Sequence, residues 1–95
     1  GLVGVPKLEL IGQLVEAVIQ GSDKKMDILD NIRNTNTDGK IVYDLYVETL
    51  REKLRDASLN EDEKGKVITC LAHSLEQYRH LRFVDPLTLL EVVVQ

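Results

Sequence analysis

One cysteine and two histidines are the residues in this sequence whose chemistry would suit a soft-metal site or a nucleophile with its base. Cys70 and His73 form a C-x-x-H pair, and His80 follows on the same predicted helix. A zinc site needs three or four converging ligands, and this set lacks a second cysteine or a carboxylate at a matching step. Cys70 and His73 could pair as nucleophile and base, but no glycine-rich turn or oxyanion donor stands beside them. We therefore expect no metal, no other cofactor and no enzymatic activity.

Three consecutive carboxylates, at Glu61, Asp62 and Glu63, are the densest acidic run in the chain. They lack the alternating spacing and the final glutamate of a calcium-binding loop. The run follows Asn60, a residue favoured at the start of a helix, and carboxylates there complement the positive end of the helix dipole. The pattern thus predicts the beginning of a helix and not a cation site.

A basic and aromatic cluster lies at the other end of the same predicted helix, formed by Tyr78, Arg79, His80 and Arg82. Aromatic rings that stack on bases, next to cations, are typical of single-stranded nucleic-acid binding. Cations at a helix C-terminus also neutralise the helix dipole without any ligand. The chain has a net charge of −4, which disfavours binding to a phosphate backbone. A nucleic-acid-associated regulatory domain that uses Arg79, His80 and Arg82 is therefore the alternative hypothesis.

The C-terminal segment is apolar on nearly every side of its predicted helix. A helix of this kind must be covered on two sides, and a four-helix core can cover one. Another copy of the chain, a partner protein or the rest of a longer parent protein would cover the other, unless this domain buries the whole segment. The leading hypothesis is a non-catalytic protein–protein interaction or oligomerisation domain, an adaptor or regulatory module of a larger protein. Its predicted partner-binding residues are Leu87, Leu90, Val93 and Val94.

Five helices are predicted to position these groups. Apolar residues at helical spacing give a first helix over 7–20, ended by Gly21, and a short second helix over about 24–34, capped by Ser22 or Asp23. The third helix is capped by Asp38. Its predicted inward residues are Val42, Leu45, Tyr46, Leu50, Leu54 and Ala57.

The fourth helix is the best-supported element of the sequence. Asn60 and Glu63 have the spacing of a capping box, and the helix should run from Asn60 to Phe83. Its link to the third helix is short, so the two should pack antiparallel. The predicted apolar stripe consists of Val67, Ile68, Leu71, Leu75 and Tyr78.

The fifth helix is predicted over 86–94, because Asp85 followed by Pro86 is an N-cap and first-turn pair. Three consecutive valines favour a strand instead. A lone strand would have no partner in a helical chain, so helix is preferred.

Length and composition fit one small globular domain. The chain has 95 residues, 43% of them hydrophobic and 29% charged. Cys70 is the only cysteine, so no internal disulfide can form and a cytoplasmic or otherwise reducing intracellular compartment is favoured. Neither a signal peptide nor a membrane-spanning run is recognisable. The first residue is not Met and the last residues are apolar, so we expect a fragment of a longer protein.

These observations predict the fold without selecting a known family. The expected architecture is all-α, a compact antiparallel bundle of four main helices with a short C-terminal fifth helix. It forms a single domain over residues 1–95, in which residues 1–5 are a flexible lead-in.

Overall fold

The part of the chain that the structure describes folds into five α-helices and one 3₁₀ turn. A computed structural model describes residues 8–35 and 37–95. The elements are α1 (Leu8–Gln20), α2 (Lys25–Arg33), α3 (Gly39–Leu54), α4 (Glu61–Glu76), a 3₁₀ turn (Gln77–Arg82) and α5 (Pro86–Val94). The predicted all-α bundle of four main helices with a short fifth is confirmed. The predicted lead-in over residues 1–5 and the predicted first residue of helix one lie outside the described residues.

Three of the predicted N-caps are present. The Asp38 carboxylate accepts hydrogen bonds from backbone N–H groups in the first turn of α3. At the start of α4, the Glu63 N–H donates to Asn60 Oδ1 at 2.8 Å and the Asn60 N–H donates to Glu63 Oε1 at 3.3 Å, which completes the capping box. Asp85 accepts from the backbone N–H of Thr88 at 3.0 Å, so the C-terminal segment begins as a helix and the strand alternative is excluded.

The junction between α1 and α2 confirms one prediction and corrects another. Gly21 adopts a left-handed φ of +66°. Its N–H donates to the Val18 carbonyl while the Ser22 N–H donates to the Ala17 carbonyl, the hydrogen-bond pair of a Schellman motif. The residue at the N-cap of α2 is Lys24, which makes no side-chain cap. The predicted cap at Ser22 or Asp23 is therefore wrong, because Ser22 Oγ accepts from the Lys24 N–H one step before the helix begins.

The helix α3 lies at the centre of the packing, where it contacts α1, α4 and α5. Its inward face is wider than predicted, since Tyr43 and Val47 are buried as well as Val42, Tyr46 and Leu50. The predicted inward residue Ala57 is exposed and follows the end of the helix. The remaining core side chains are Ile11, Leu14, Val15 and Ile19 from α1, Leu29 and Ile32 from α2, Leu59, Val67, and Leu89, Leu90, Val93 and Val94 from α5.

The inward face of α4 differs from the predicted apolar stripe. Ile68 is 55% exposed and Leu75 is 40% exposed, whereas Val67 and Ser74 are buried. The small side chain of Ser74 lets Tyr43 approach the helix backbone, and the Tyr43 hydroxyl donates to the Ser74 carbonyl at 2.7 Å. The predicted apolar stripe therefore gave the wrong inward face for α4, because the buried Ser74 lies on that face.

The pairing of α3 with α4 and the turn beyond it is antiparallel, as the short link predicted. Lys40, at the start of α3, donates a hydrogen bond to the hydroxyl of Tyr78, which follows the end of α4. The predicted fourth helix is shorter than expected, since α-helical geometry ends at Glu76 and the chain continues as the 3₁₀ turn.

Candidate functional site

The partner-binding residues predicted from the sequence lie mostly inside the domain. Leu90 is fully buried, Val93 and Val94 are buried, and Leu87 is partly buried against the core. In this conformation the three buried side chains have no surface to present to a partner. The docking face predicted at Leu87, Leu90, Val93 and Val94 stays a prediction, and in this fold α5 forms part of the core.

Several elements of the same chain pack against α5. It packs against α3, α4, α2 and the 3₁₀ turn, so that both flanks of the helix are enclosed. Its outer side is held to α2 by an ion pair between Arg33 and Glu91, with Arg33 Nη2 3.0 Å from Glu91 Oε2. The sequence-based prediction assumed a closed four-helix core with α5 added outside, whereas α5 contributes Leu89, Leu90, Val93 and Val94 to the core.

A groove surrounds the 3₁₀ turn at the end of the bundle where α3 begins. It has a volume of about 720 Å³ and is called the turn groove below. Three of the residues predicted as a nucleic-acid contact, Arg79, His80 and Arg82, lie together along it. The residues that line it are Lys40, Tyr78, Arg79, His80, Leu81, Arg82 and Phe83.

Tyr78 lines the turn groove and is held by two residues of α3. The Lys40 Nζ atom lies 5.0 Å from the centroid of the Tyr78 ring, a cation–π arrangement. On the other side, the Tyr43 ring meets Tyr78 edge to face with their centroids 5.5 Å apart. The buried Tyr43 also binds the Ser74 carbonyl, so the end of α4 and the following turn are fixed to α3.

Phe83 projects from the end of the turn into solvent. It is the only phenylalanine in the chain, and it is 85% exposed. Of the large hydrophobic side chains in the described ranges, it is the most exposed. A free aromatic ring beside two arginines combines the residue types that are enriched at protein–protein hot spots.

The sequence indicated part of this site and missed the rest. Tyr78, Arg79, His80 and Arg82 were recognised as a cluster, but Phe83 was assigned to the end of an α-helix. Lys40 could not be found from the sequence, because only the antiparallel packing of α3 and the turn brings it to Tyr78.

The soft-ligand residues do not converge. Cys70 is half-buried, His73 is exposed and His80 is partly exposed. Burial raises the pKa of the Cys70 thiol, which keeps it protonated near neutral pH. Among the described residues no group of three or more histidine, cysteine, aspartate or glutamate side chains could hold a metal ion.

One buried polar atom near Cys70 has no partner. The hydroxyl of the fully buried Tyr46 makes no hydrogen bond with any residue of the described ranges. Burial, followed by the nearby Cys70 and Tyr43, raises the pKa of Tyr46 far above its ordinary value. This phenol is neutral at physiological pH and contributes apolar packing.

Comparisons with known proteins give no relative for this chain. No protein-family model matches it, and neither a curated protein nor a solved structure is similar to it. In the part of the chain that the structure describes, each helix is too short or too polar to cross a lipid bilayer.

Proposed function

We propose that this chain is a non-catalytic protein-interaction domain that acts as an adaptor or regulatory module of a larger protein. Its contact surface is the turn groove, with Phe83 as the anchor residue. The proposal keeps the function class that the sequence favoured and moves the contact surface from α5 to the turn groove.

The single observation that supports the proposal is the exposure of Phe83 next to Arg79 and Arg82. Leaving a phenylalanine ring in water forgoes roughly 1.5–3 kcal/mol of burial free energy, so the folded domain gains nothing from it. A partner that covers the ring recovers this free energy, and the two guanidinium groups supply directional hydrogen bonds at its rim. Because Tyr43 and Lys40 contact Tyr78, this ring is positioned before a partner binds, which lowers the entropic cost of binding.

A displayed library of random peptides tests the proposal without a known partner. Peptides selected on the native domain should lose binding to Phe83→Ser by at least about tenfold, since the anchor contributes the central apolar contact. Val92→Ser is the matched control, because Val92 is also exposed but lies on α5. Circular dichroism must show that both variants remain folded. Selection that returns no Phe83-dependent peptide contradicts the proposal.

Nucleic-acid binding at the same groove is the second candidate function. It is favoured by the arrival of Lys40 beside Tyr78, Arg79, His80 and Arg82, which places aromatic and cationic groups around one opening. Fluorescence anisotropy with labelled oligo(U) and oligo(dT) at two salt concentrations tests it. Affinity that falls steeply with salt and is lost in Phe83→Ser would support nucleic acid as the ligand.

A further inference from the structure

The side chains that line the turn groove carry charge of one sign. The charged residues that line it are Lys40, Arg79 and Arg82, and none of its described lining residues is a carboxylate. The rest of the chain is acidic, because the whole sequence has 16 acidic and 12 basic residues. The groove is thus a local cationic site on an anionic domain.

The two arginines differ from Lys40, because neither of them forms an ion pair with a described residue. Lys40 is paired with Asp44, with Nζ 2.8 Å from Oδ2. In contrast, Arg79 and Arg82 form no ion pair and no side-chain hydrogen bond with any residue in the described ranges. Their free guanidinium groups favour an external anion.

A second groove continues from the first one along α3 and α4, and its charge differs. It has a volume of about 350 Å³ and shares Tyr78 with the turn groove. Asp44 and Glu48 line it together with a single arginine, Arg51. A long polyanion that followed this surface beyond Tyr78 would meet carboxylates, whereas an anion confined to the turn groove would not.

We infer that the turn groove binds a short acidic segment of a partner protein, with an apolar side chain packed on Phe83 and carboxylates bound by Arg79 and Arg82. This inference rests on the proposed function and adds the chemistry of the partner to it. A peptide is favoured over nucleic acid because its charges can be limited to the few positions that face the arginines. A nucleic-acid strand carries a phosphate at every nucleotide and would extend over the acidic groove.

A charge-reversal experiment on the folded chain tests the inference. The probe is a short fluorescein-labelled peptide in which glutamates flank leucines, and its counterpart has lysines in place of the glutamates. Arg79→Glu with Arg82→Glu should weaken binding of the acidic peptide by at least about tenfold and should strengthen binding of the lysine peptide. Lys24→Glu with Arg55→Glu is the matched control, because it makes the same change in net charge at exposed positions away from the groove. Binding of the acidic peptide to the native domain should also weaken as salt rises.

The possible contrary results are distinguishable from one another. A first contrary result is that the selected library peptides depend on Phe83, carry no acidic residues and bind the double charge-reversal variant as well as the native domain. This result would overturn the inference and leave the proposed function intact. A second contrary result is tighter binding of oligo(U) than of the acidic peptide, with the same dependence on Phe83 and the arginines. This result would identify nucleic acid as the ligand and overturn the inference. A third contrary result is a dimer, detected by light scattering, that dissociates when Arg79→Glu and Arg82→Glu are introduced. This result would identify a second copy of the chain as the occupant and overturn the inference. Absence of any Phe83-dependent peptide would overturn the proposed function and the inference together.

Discussion

The helix α5 and the 3₁₀ turn contrast in how their composition relates to their exposure. The helix consists largely of leucine and valine, and its side chains Leu89, Leu90, Val93 and Val94 are buried within the domain. The turn is rich in cations, yet the residue that follows it, Phe83, is the most exposed large hydrophobic side chain in the described ranges. The apolar content of a segment therefore does not indicate how exposed its side chains are in this molecule.

The difference follows from what each segment contacts. Several elements surround α5, so its apolar sides face other helices of the same chain. The turn is at the end of the bundle, where α4 stops and the chain must reverse towards α5. Its residues have core on one side only, and Phe83 falls on the other side. This exposed aromatic ring next to unpaired cations is the reason why we propose a contact surface at the turn and not at α5.

The largest expected effect comes from truncating the centre of α5. Leu90→Ala should reduce the free energy of unfolding by about 2–5 kcal/mol, because it removes a fully buried side chain and leaves a cavity. Val92→Ala, two positions along the same helix, should change it by less than about 0.5 kcal/mol, since Val92 is 53% exposed. Urea denaturation followed by circular dichroism measures both values.

Light scattering of the same two variants determines whether α5 is core or interface. The structure leads us to expect no change in oligomeric state with Leu90→Ala. A variant that kept its stability but lost an oligomer would restore the original expectation that α5 is covered from outside.

The second effect concerns α3, which connects the two regions. Burial raises the pKa of Tyr43 from 10.0 to about 12, and the pKa of Tyr46 is raised further. Above pH 10 the unfolded chain therefore loses phenolic protons that the folded chain keeps. The unfolded state then binds fewer protons, so the free energy of unfolding falls as the pH rises from 10 to 12, by roughly 2–3 kcal/mol for each of the two tyrosines. This contribution is fully present below pH 10.

Tyr46→Phe provides the control for the alkaline transition. It should remove the Tyr46 share of the decrease while leaving stability at neutral pH unchanged or slightly higher, because its hydroxyl has no hydrogen-bond partner to lose. Urea titrations at several pH values measure the slope. A native-like slope in this variant would show that Tyr46 ionises freely in the folded state and is not buried as described.

Local sequence signals predicted the helices well. The caps at Asp38, Asn60 and Asp85 each depend on a side chain and a backbone N–H within one turn, so a sequence contains the whole interaction. The prediction that Gly21 ends α1 is equally local, because it depends on the positive φ angle of that one residue, which glycine adopts without steric cost. The α-helical bundle and the bounds of α5 were correct for this reason.

The arrangement of the helices was less predictable, because it depends on contacts between distant residues. The fully buried Ser74 is a polar residue at the centre of the inward face of α4, and its carbonyl accepts a hydrogen bond from Tyr43 of another helix. The enclosure of α5 and the approach of Lys40 to Tyr78 likewise require knowledge of which helices are neighbours. The sequence could therefore identify the cationic half of the site, Arg79, His80 and Arg82, but not its lysine or the exposure of Phe83.

The smallest expected effect on stability is that of Phe83→Ser. The ring makes few contacts with the domain, so its removal should change the free energy of unfolding by no more than about 0.5 kcal/mol, in contrast to Leu90→Ala. Urea denaturation of the purified variant provides the measurement, and Val92→Ser is the control for replacing an exposed apolar residue by serine. A loss above about 2 kcal/mol would mean that Phe83 is covered in solution by another part of the chain. In that case the ring could not act as a free anchor, and Phe83 would belong to the core as the buried residues of α5 do.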